Sequence, residues 1–154
     1  MHPIHAKLKE LNLVLPDPPK PVASYVPAAR VGDLIYVSGQ LPMKEGKLLA
    51  TGRAPSAVSV DQAKLAAQQC ALNGLAIVGA EIAGDWSRLV RIVRLGVFVQ
   101  CDDDFTQQPQ VANGASDLLQ QLLGDAGRHA RAAVGTNTLP LGATVEVEML
   151  VQVR

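Results

Sequence analysis

The segment TVEVEMLVQVR (Thr144–Arg154) constrains this chain more than any other. Val145, Val147, Met149, Val151 and Val153 alternate with polar residues and Leu150, a period of two that an α-helix cannot place on one face. Such a segment is a strand with one side packed on a core, so the fold must contain a sheet. LVRIVRLGVFVQC (Leu89–Cys101) is an equally clear strand, predicted to put Val93, Leu95, Val97 and Val99 on one face. SYVPAARVGDLIYVSGQLP carries β-branched and aromatic residues on both sides of Gly32-Asp33, which predicts two strands joined by a tight turn. RAAVGTNT (Arg131–Thr138) is predicted as another strand, and an arginine heads it. Strands normally keep charge on a solvated face. Arg131 is therefore either half of a surface pair with a glutamate or a group facing a cleft and holding a carboxylate.

Between the strands the period changes to that of helices. SVDQ at Ser59 is a capping box, so a helix is predicted from there to about Ala83. Leu65, Leu72, Leu75 and Ala76 give it an apolar side, while Ala63, Ala66, Ala67, Cys70, Ala71 and Gly74 keep it slim enough to lie close against a sheet. A second helix is predicted over Pro109–Leu123, with Val111, Ala115, Leu118, Leu119 and Leu122 at helical spacing. A short helix over Ile4–Leu13, with Ile4, Leu8 and Leu11 on one side, precedes LPDPPKPVAS, whose prolines make an extended connector. MKEGKLLATGRAPSAV is predicted as loop with room for one short pairing. The order is β-β-α-β-α-β-β, an α+β mixed sheet with two helices packed on one face. Residues 1–23 read as an N-terminal helix and connector, and residues 24–154 as a single domain.

At 154 residues the chain suits one domain. Only 18% of residues are charged, below the usual share of about 25%, which implies that some surface is covered by other copies of the chain. The sheet face away from the helices is too apolar to stay wet, which points the same way, to a homo-oligomer. Lys+Arg and Asp+Glu are both 14, and a zero net charge argues against nucleic acid as a partner. Cys70 and Cys101 form no CxxC, and Cys70 reads as a buried structural thiol. No stretch approaches a membrane span or a signal peptide, so a cytoplasmic protein with no membrane partner is expected. Asp102–Asp104 reads as a solvated turn rather than a metal site, and no nucleotide motif is present; no metal and no cofactor are expected.

YVSGQLP (Tyr36–Pro42), VFVQCDDDF (Val97–Phe105), ANGASDLL (Ala112–Leu119) and RAAVGTNTLPLGATVEVE (Arg131–Glu148) occur in the order and spacing of the RidA/YjgF family, also called endoribonuclease L-PSP. The resemblance covers Ser24 to Val153. It implies a chorismate-mutase-like fold whose last strand inserts antiparallel between two earlier ones. It also implies a homotrimer with the sheets as an inner barrel, the helices outside and a cleft at each subunit interface. Active family members are enamine/imine deaminases that form 2-keto acids and ammonia, so a small-molecule 2-imino or 2-keto acid is the implied ligand.

The family's arginine, in an R-x-x-V pattern with Leu-Pro eight residues on, falls on Arg131, and its carboxylate on Glu146. These two are the implied catalytic residues, with Tyr25, Ser38, Gly39 and Asn113 as substrate-binding candidates. A guanidinium suits a carboxylate because its planar fork binds both oxygens, which lysine cannot reproduce. Glu146 would activate water at the imine carbon, Tyr25 would cover the substrate side chain, and Ser38-Gly39 would allow close backbone approach. Asn113 also suits a bond across the helix–sheet packing, and Glu148 shares the strand face of Glu146 as its natural control. His129 reads as a solvated loop histidine. One family position departs: a common cysteine is Ala133 here, so a thiol there is not needed. Enamine/imine deamination ranks first, a non-catalytic trimeric keto-acid-binding protein second and an endoribonuclease third.

Overall fold

The alternating C-terminal segment forms the middle of the sheet. The structure is a computed structural model and describes residues 2–20 and 24–154. Its main strands are β1 (Ala28–Val31), β2 (Leu34–Gln40), β5 (Leu89–Gln100), β6 (Ala130–Thr136) and β7 (Val145–Val153). A small hairpin, β3 (Met43–Lys44) with β4 (Lys47–Leu48), supplies the one short pairing expected in the loop. The sheet order is β1-β2-β7-β5-β6. β7 runs antiparallel to both β2 and β5, while β5 and β6 are parallel. The last strand therefore inserts between two earlier ones, as the family resemblance implies and as no local turn signal would suggest.

Helices α2 (Val60–Glu81) and α3 (Gln108–Leu123) pack on one face of that sheet and on each other. The capping box at Ser59 is formed in both directions, an arrangement worth about 1 kcal/mol. Beneath the helices Val147 lies opposite Val97 and Met149 opposite Leu95, all buried. The alternation predicted for β7 is thus the alternation of core and opposite face.

Two expectations about which side chains face the core are corrected. Leu65 is 61% exposed, although Leu72, Leu75 and Ala76 are buried. The row that meets the sheet is Ala63, Ala66, Ala67, Cys70, Ala71 and Gly74 at i, i+3, i+4 spacing, and a Cβ at Gly74 would overlap the Met149 side chain. Close helix–sheet contact selects the small residues and turns Leu65 outward. Val93 is only half-buried and Ile92 takes its place in the core. The register slips between Ile92 and Arg94, so Val93 is the extra residue of a bulge and the faces exchange there.

The N-terminal helix α1 (Pro3–Glu10) ends before the expected Leu13, with Asn12 in the left-handed region. Its Ile4 and Leu8 are buried in the same core and it packs against α3. His2 caps it, accepting from the Ile4 amide at 3.2 Å. Of the proline-rich connector, residues 15–20 have no regular structure, and Pro21, Val22 and Ala23 lie outside the described residues. The sheet face away from the helices carries exposed apolar side chains, Val31 at 66%, Tyr36 at 52% and Val134 at 47%. No helix among the described residues is long and apolar enough to cross a membrane.

Candidate active site

Arg131 sits on β6 opposite Leu95, so its side chain leaves the sheet on the helix side. There Nη1 donates to Asn113 Oδ1 at 2.8 Å and to Ser116 Oγ at 3.1 Å. Asn113 and Ser116 are three residues apart on α3 and so neighbour each other on its surface. Asn113 bonds across the helix–sheet packing, as its position suggested. The ion pairs among the described residues are Lys7–Glu10, Arg53–Asp103 and Arg94–Glu148. Arg131 is in none of them, which removes the surface-pair reading. Its Nε and Nη2 have no partner among the described residues.

His129, two residues upstream, lies in the loop before β6 as expected, but it is half-buried rather than solvated. One ring nitrogen, Nε2, is 2.8 Å from Ser116 Oγ and the other, Nδ1, is 2.6 Å from the Gly127 carbonyl. Burial holds its pKa below the ordinary histidine value; the Gly127 bond opposes that shift and the charge of Arg131 adds to it.

A second group assembles on the other sheet face, around the glutamates of β7. Between Val37 and Gln40 the β2 register slips against β7, so Ser38 and Gly39 together face the single residue Glu148. Gly39 is required there, because a Cβ would overlap the Glu146 carboxylate. Ser38 Oγ donates to the Val26 carbonyl at 2.8 Å and fixes the chain just after Tyr25. Tyr25, exposed, borders two depressions. An open one of about 700 Å³ is shared with Tyr36, Ser38 and Glu148. A tighter one of about 190 Å³ is shared with Lys20, Gly39 and Gln40. Neither is lined by Arg131.

The two glutamates differ. Glu148 pairs with Arg94 at 3.2 Å, in register with Gly96, where a side chain would collide with both. Glu146 has no cation beside it among the described residues. Its pKa is raised, first by burial and then by the charge of Glu148. Cys70 is buried beneath the same strand, its Sγ 3.7 Å from the Val145 carbonyl. Burial pushes its thiol well up, with Glu146 adding to the shift, so it is an inert core group, as expected. Asp102 accepts from the Ser56 amide and hydroxyl at 3.1 and 2.8 Å, and Asp103 pairs with Arg53. Among the described residues no group of three His, Cys, Asp or Glu side chains is placed to hold a metal.

The site residues thus fall into two groups. Arg131 and Asn113 are together; Tyr25, Ser38, Gly39 and Glu146 are together. Arg131 shares its face with Leu95, whereas Glu146 lies opposite Phe98 on the reverse face, and β5 separates their strands. One chain does not bring the guanidinium and this carboxylate to one substrate. Ser116 was missed by sequence reasoning; its only signal was the i, i+3 spacing from Asn113.

The family model described as "YjgF/chorismate mutase-like, putative endoribonuclease" matches residues 5–153. Protein TCP17 of Trypanosoma cruzi is 41% identical over 150 residues, 97% of this chain and 93% of that protein. A 2-iminobutanoate/2-iminopropanoate deaminase of Dermatophagoides farinae is 29% identical over 133 residues, 86% of this chain and 88% of that protein. The crystal structure of Atu1372 from Agrobacterium tumefaciens, a protein of unknown function, superposes with a TM-score of 0.93 at 46% identity. It covers 98% of this chain and 92% of that one.

Proposed function

Because this chain belongs to the YjgF/chorismate mutase-like family, we propose that it hydrolyses 2-imino acids and their enamine tautomers to 2-keto acids and ammonia. The observation that carries this reading is the Arg131 fork. Two neutral oxygens hold Nη1, no carboxylate among the described residues neutralises it, and Nε and Nη2 remain free for two substrate oxygens. Every 2-imino acid presents such a carboxylate beside its reacting carbon. The deaminase from Dermatophagoides farinae supports the same chemistry at family level.

With the carboxylate anchored, an enamine substrate first takes a proton from solvent at C3, its C=C pair forming the new C–H bond and the nitrogen lone pair the C=N bond of the iminium. Water then adds to C2, the C=N π pair moves to nitrogen, and a proton leaves the water. Glu146 accepts that proton and returns it to the nitrogen. The O–H pair of the carbinolamine then forms the C=O bond as the C–N bond breaks, ammonia leaves with the C–N pair, and the hydroxyl proton passes to solvent. Its raised pKa suits a group that both takes and gives a proton. Protonated imines are already electrophilic, so positioning supplies most of what remains.

Since Arg131 and Glu146 lie on opposite faces of one sheet, the complete site in this reading takes Arg131 and Asn113 from one copy. Glu146, Gly39, Ser38 and Tyr25 come from the next. We assign it to a homotrimer in which the exposed Val31, Tyr36 and Val134 face is covered. The test is the loss of freshly generated 2-aminoacrylate, and of bulkier imines made by an amino-acid oxidase, with wild type, Arg131→Ala and Glu146→Gln. Acceleration by wild type that vanishes in Arg131→Ala is expected. No acceleration with any imine, together with Arg131-dependent binding of 2-keto acids, would make the protein a carrier or sensor.

A further inference from the structure

Ser116 and His129 take no part in the reaction above, yet they meet Arg131 in a chain of hydrogen bonds that, for a neutral imidazole, has only one consistent direction. A carbonyl only accepts, so the 2.6 Å contact from Gly127 requires the proton on His129 Nδ1. In the neutral ring Nε2 is then an acceptor, and Ser116 Oγ at 2.8 Å must donate to it. With its hydroxyl proton committed, Ser116 turns lone pairs to Arg131 Nη1 at 3.1 Å. Nη1 carries two hydrogens, and the second goes to Asn113 Oδ1 at 2.8 Å. Two acceptors on one terminal nitrogen fix the guanidinium plane, where a single acceptor leaves it free to swing.

We propose that His129 is a positioning residue: acting through Ser116, it sets the plane of the Arg131 guanidinium and so presents Nε and Nη2 to the substrate carboxylate. The identity of the substrate rests on the imine-hydrolase reading; the positioning rests on the hydrogen-bond geometry. Ser116 is 5% exposed and sits within α3, where a hydroxyl without an outside acceptor turns back to its own helix. His129 supplies that outside acceptor. The charged side chains on the elements around the ring are Arg128 and Arg131 next to it, Arg91 and Arg94 on β5, Asp117 on α3 and Asp125 in the preceding turn. Arg91 is spent on the Arg128 carbonyl at 3.1 Å, Arg94 pairs with Glu148, and of the six only Arg131 shifts the ring's titration through its charge. The ring is held neutral by burial and by that charge, which keeps Nε2 an acceptor at neutral pH.

The experiment is nuclear magnetic resonance of the Arg131 guanidinium in the full chain, read beside steady-state kinetics with an imine, for wild type, His129→Ala, His129→Gln and Ser116→Ala. Rotation about the Arg131 Cζ–Nε bond is expected to be slow in wild type and in His129→Gln, which keeps an acceptor for Ser116. It is expected to be fast in His129→Ala and Ser116→Ala. KM rises roughly three- to tenfold in the two alanine variants with kcat near wild type, because the lost contact serves binding in ground and transition states alike. An Arg131 signal in both alanine variants like that of wild type would overturn the proposal, as would a fall in kcat with KM unmoved. If one alanine variant does not fold, the other carries the test. A stiff, His129-dependent guanidinium in a protein that hydrolyses no imine would sink the proposed function and leave the positioning role standing.

Discussion

The two faces of the sheet treat charge in opposite ways. On the helix side the Arg131 cation, in no ion pair among the described residues, is gripped by the neutral oxygens of Asn113 and Ser116. On the reverse side two glutamates stand two residues apart on β7, Glu148 neutralised by Arg94 and Glu146 not. Among the described residues, an unneutralised cation on one face and an unneutralised carboxylate on the other support the proposed site, which one copy of the chain does not complete alone.

The strongest way to break that comparison is to remove the cation. Arg131→Ala should lower kcat/KM for a 2-imino acid by roughly 10²–10³, and Arg131→Lys should recover little, since lysine lacks the fork. Activity of Arg131→Ala within tenfold of wild type would return Arg131 to an ordinary surface residue. On the reverse face the glutamates should separate. Glu146→Gln is expected to lower kcat about 10²-fold, the scale of general acid–base catalysis, while Glu148→Gln stays within a few-fold because its partner Arg94 has already neutralised it. Equal losses at both positions would show that the face needs only negative charge.

Mixing the two inactive proteins sharpens the comparison further. If the two groups complete each other across an interface, unfolding and refolding Arg131→Ala with Glu146→Gln creates sites that take the intact group from each parent. About a quarter of sites should then be whole in a random mixture of two equal populations. Activity no greater than that of the separate variants would mean that the site closes within one chain or that one group is dispensable.

What the sequence could reveal about this arrangement depended on how many elements a feature needs. The capping box at Ser59 and the alternation of β7 are properties of one segment, and both are present as read. The inward strand position of β7 came from a resemblance, because it pairs residues more than a hundred positions apart, as in Leu34 with Gln152. Val93 was misplaced because its bulge exists only against β7, and Leu65 because α2 offers two apolar sides. Met149, packed under Gly74, decides between them. Arg131, Glu146 and Gly39 were legible as residues but not as two groups, since the face of each depends on register with β5 or β2. Ser116 and His129 were not legible at all as partners: their meeting requires α3, β6 and the turn between them at once.

The smallest effect is also the one that tells chemistry from architecture. Glu146 has a folded-state pKa above that of an exposed glutamate, because burial and Glu148 both disfavour its charge. The folded chain therefore binds more protons at this position than the unfolded chain, and stability from this group falls as pH rises from below the ordinary carboxylate value, about 4.3, through the raised one. Above that window the charged Glu146 is a standing cost. Glu146→Gln should consequently melt slightly higher than wild type at neutral pH, by about 1–2 °C given how much of the side chain is solvated, and the gain should vanish below about pH 4. Thermal melts of both proteins across pH 3–8 read this directly. A carboxylate whose removal stabilises the fold while abolishing turnover is kept for the reaction. A glutamine variant that melts lower at neutral pH would instead make Glu146 a structural acceptor, and the unpaired charge on this face would lose its catalytic meaning.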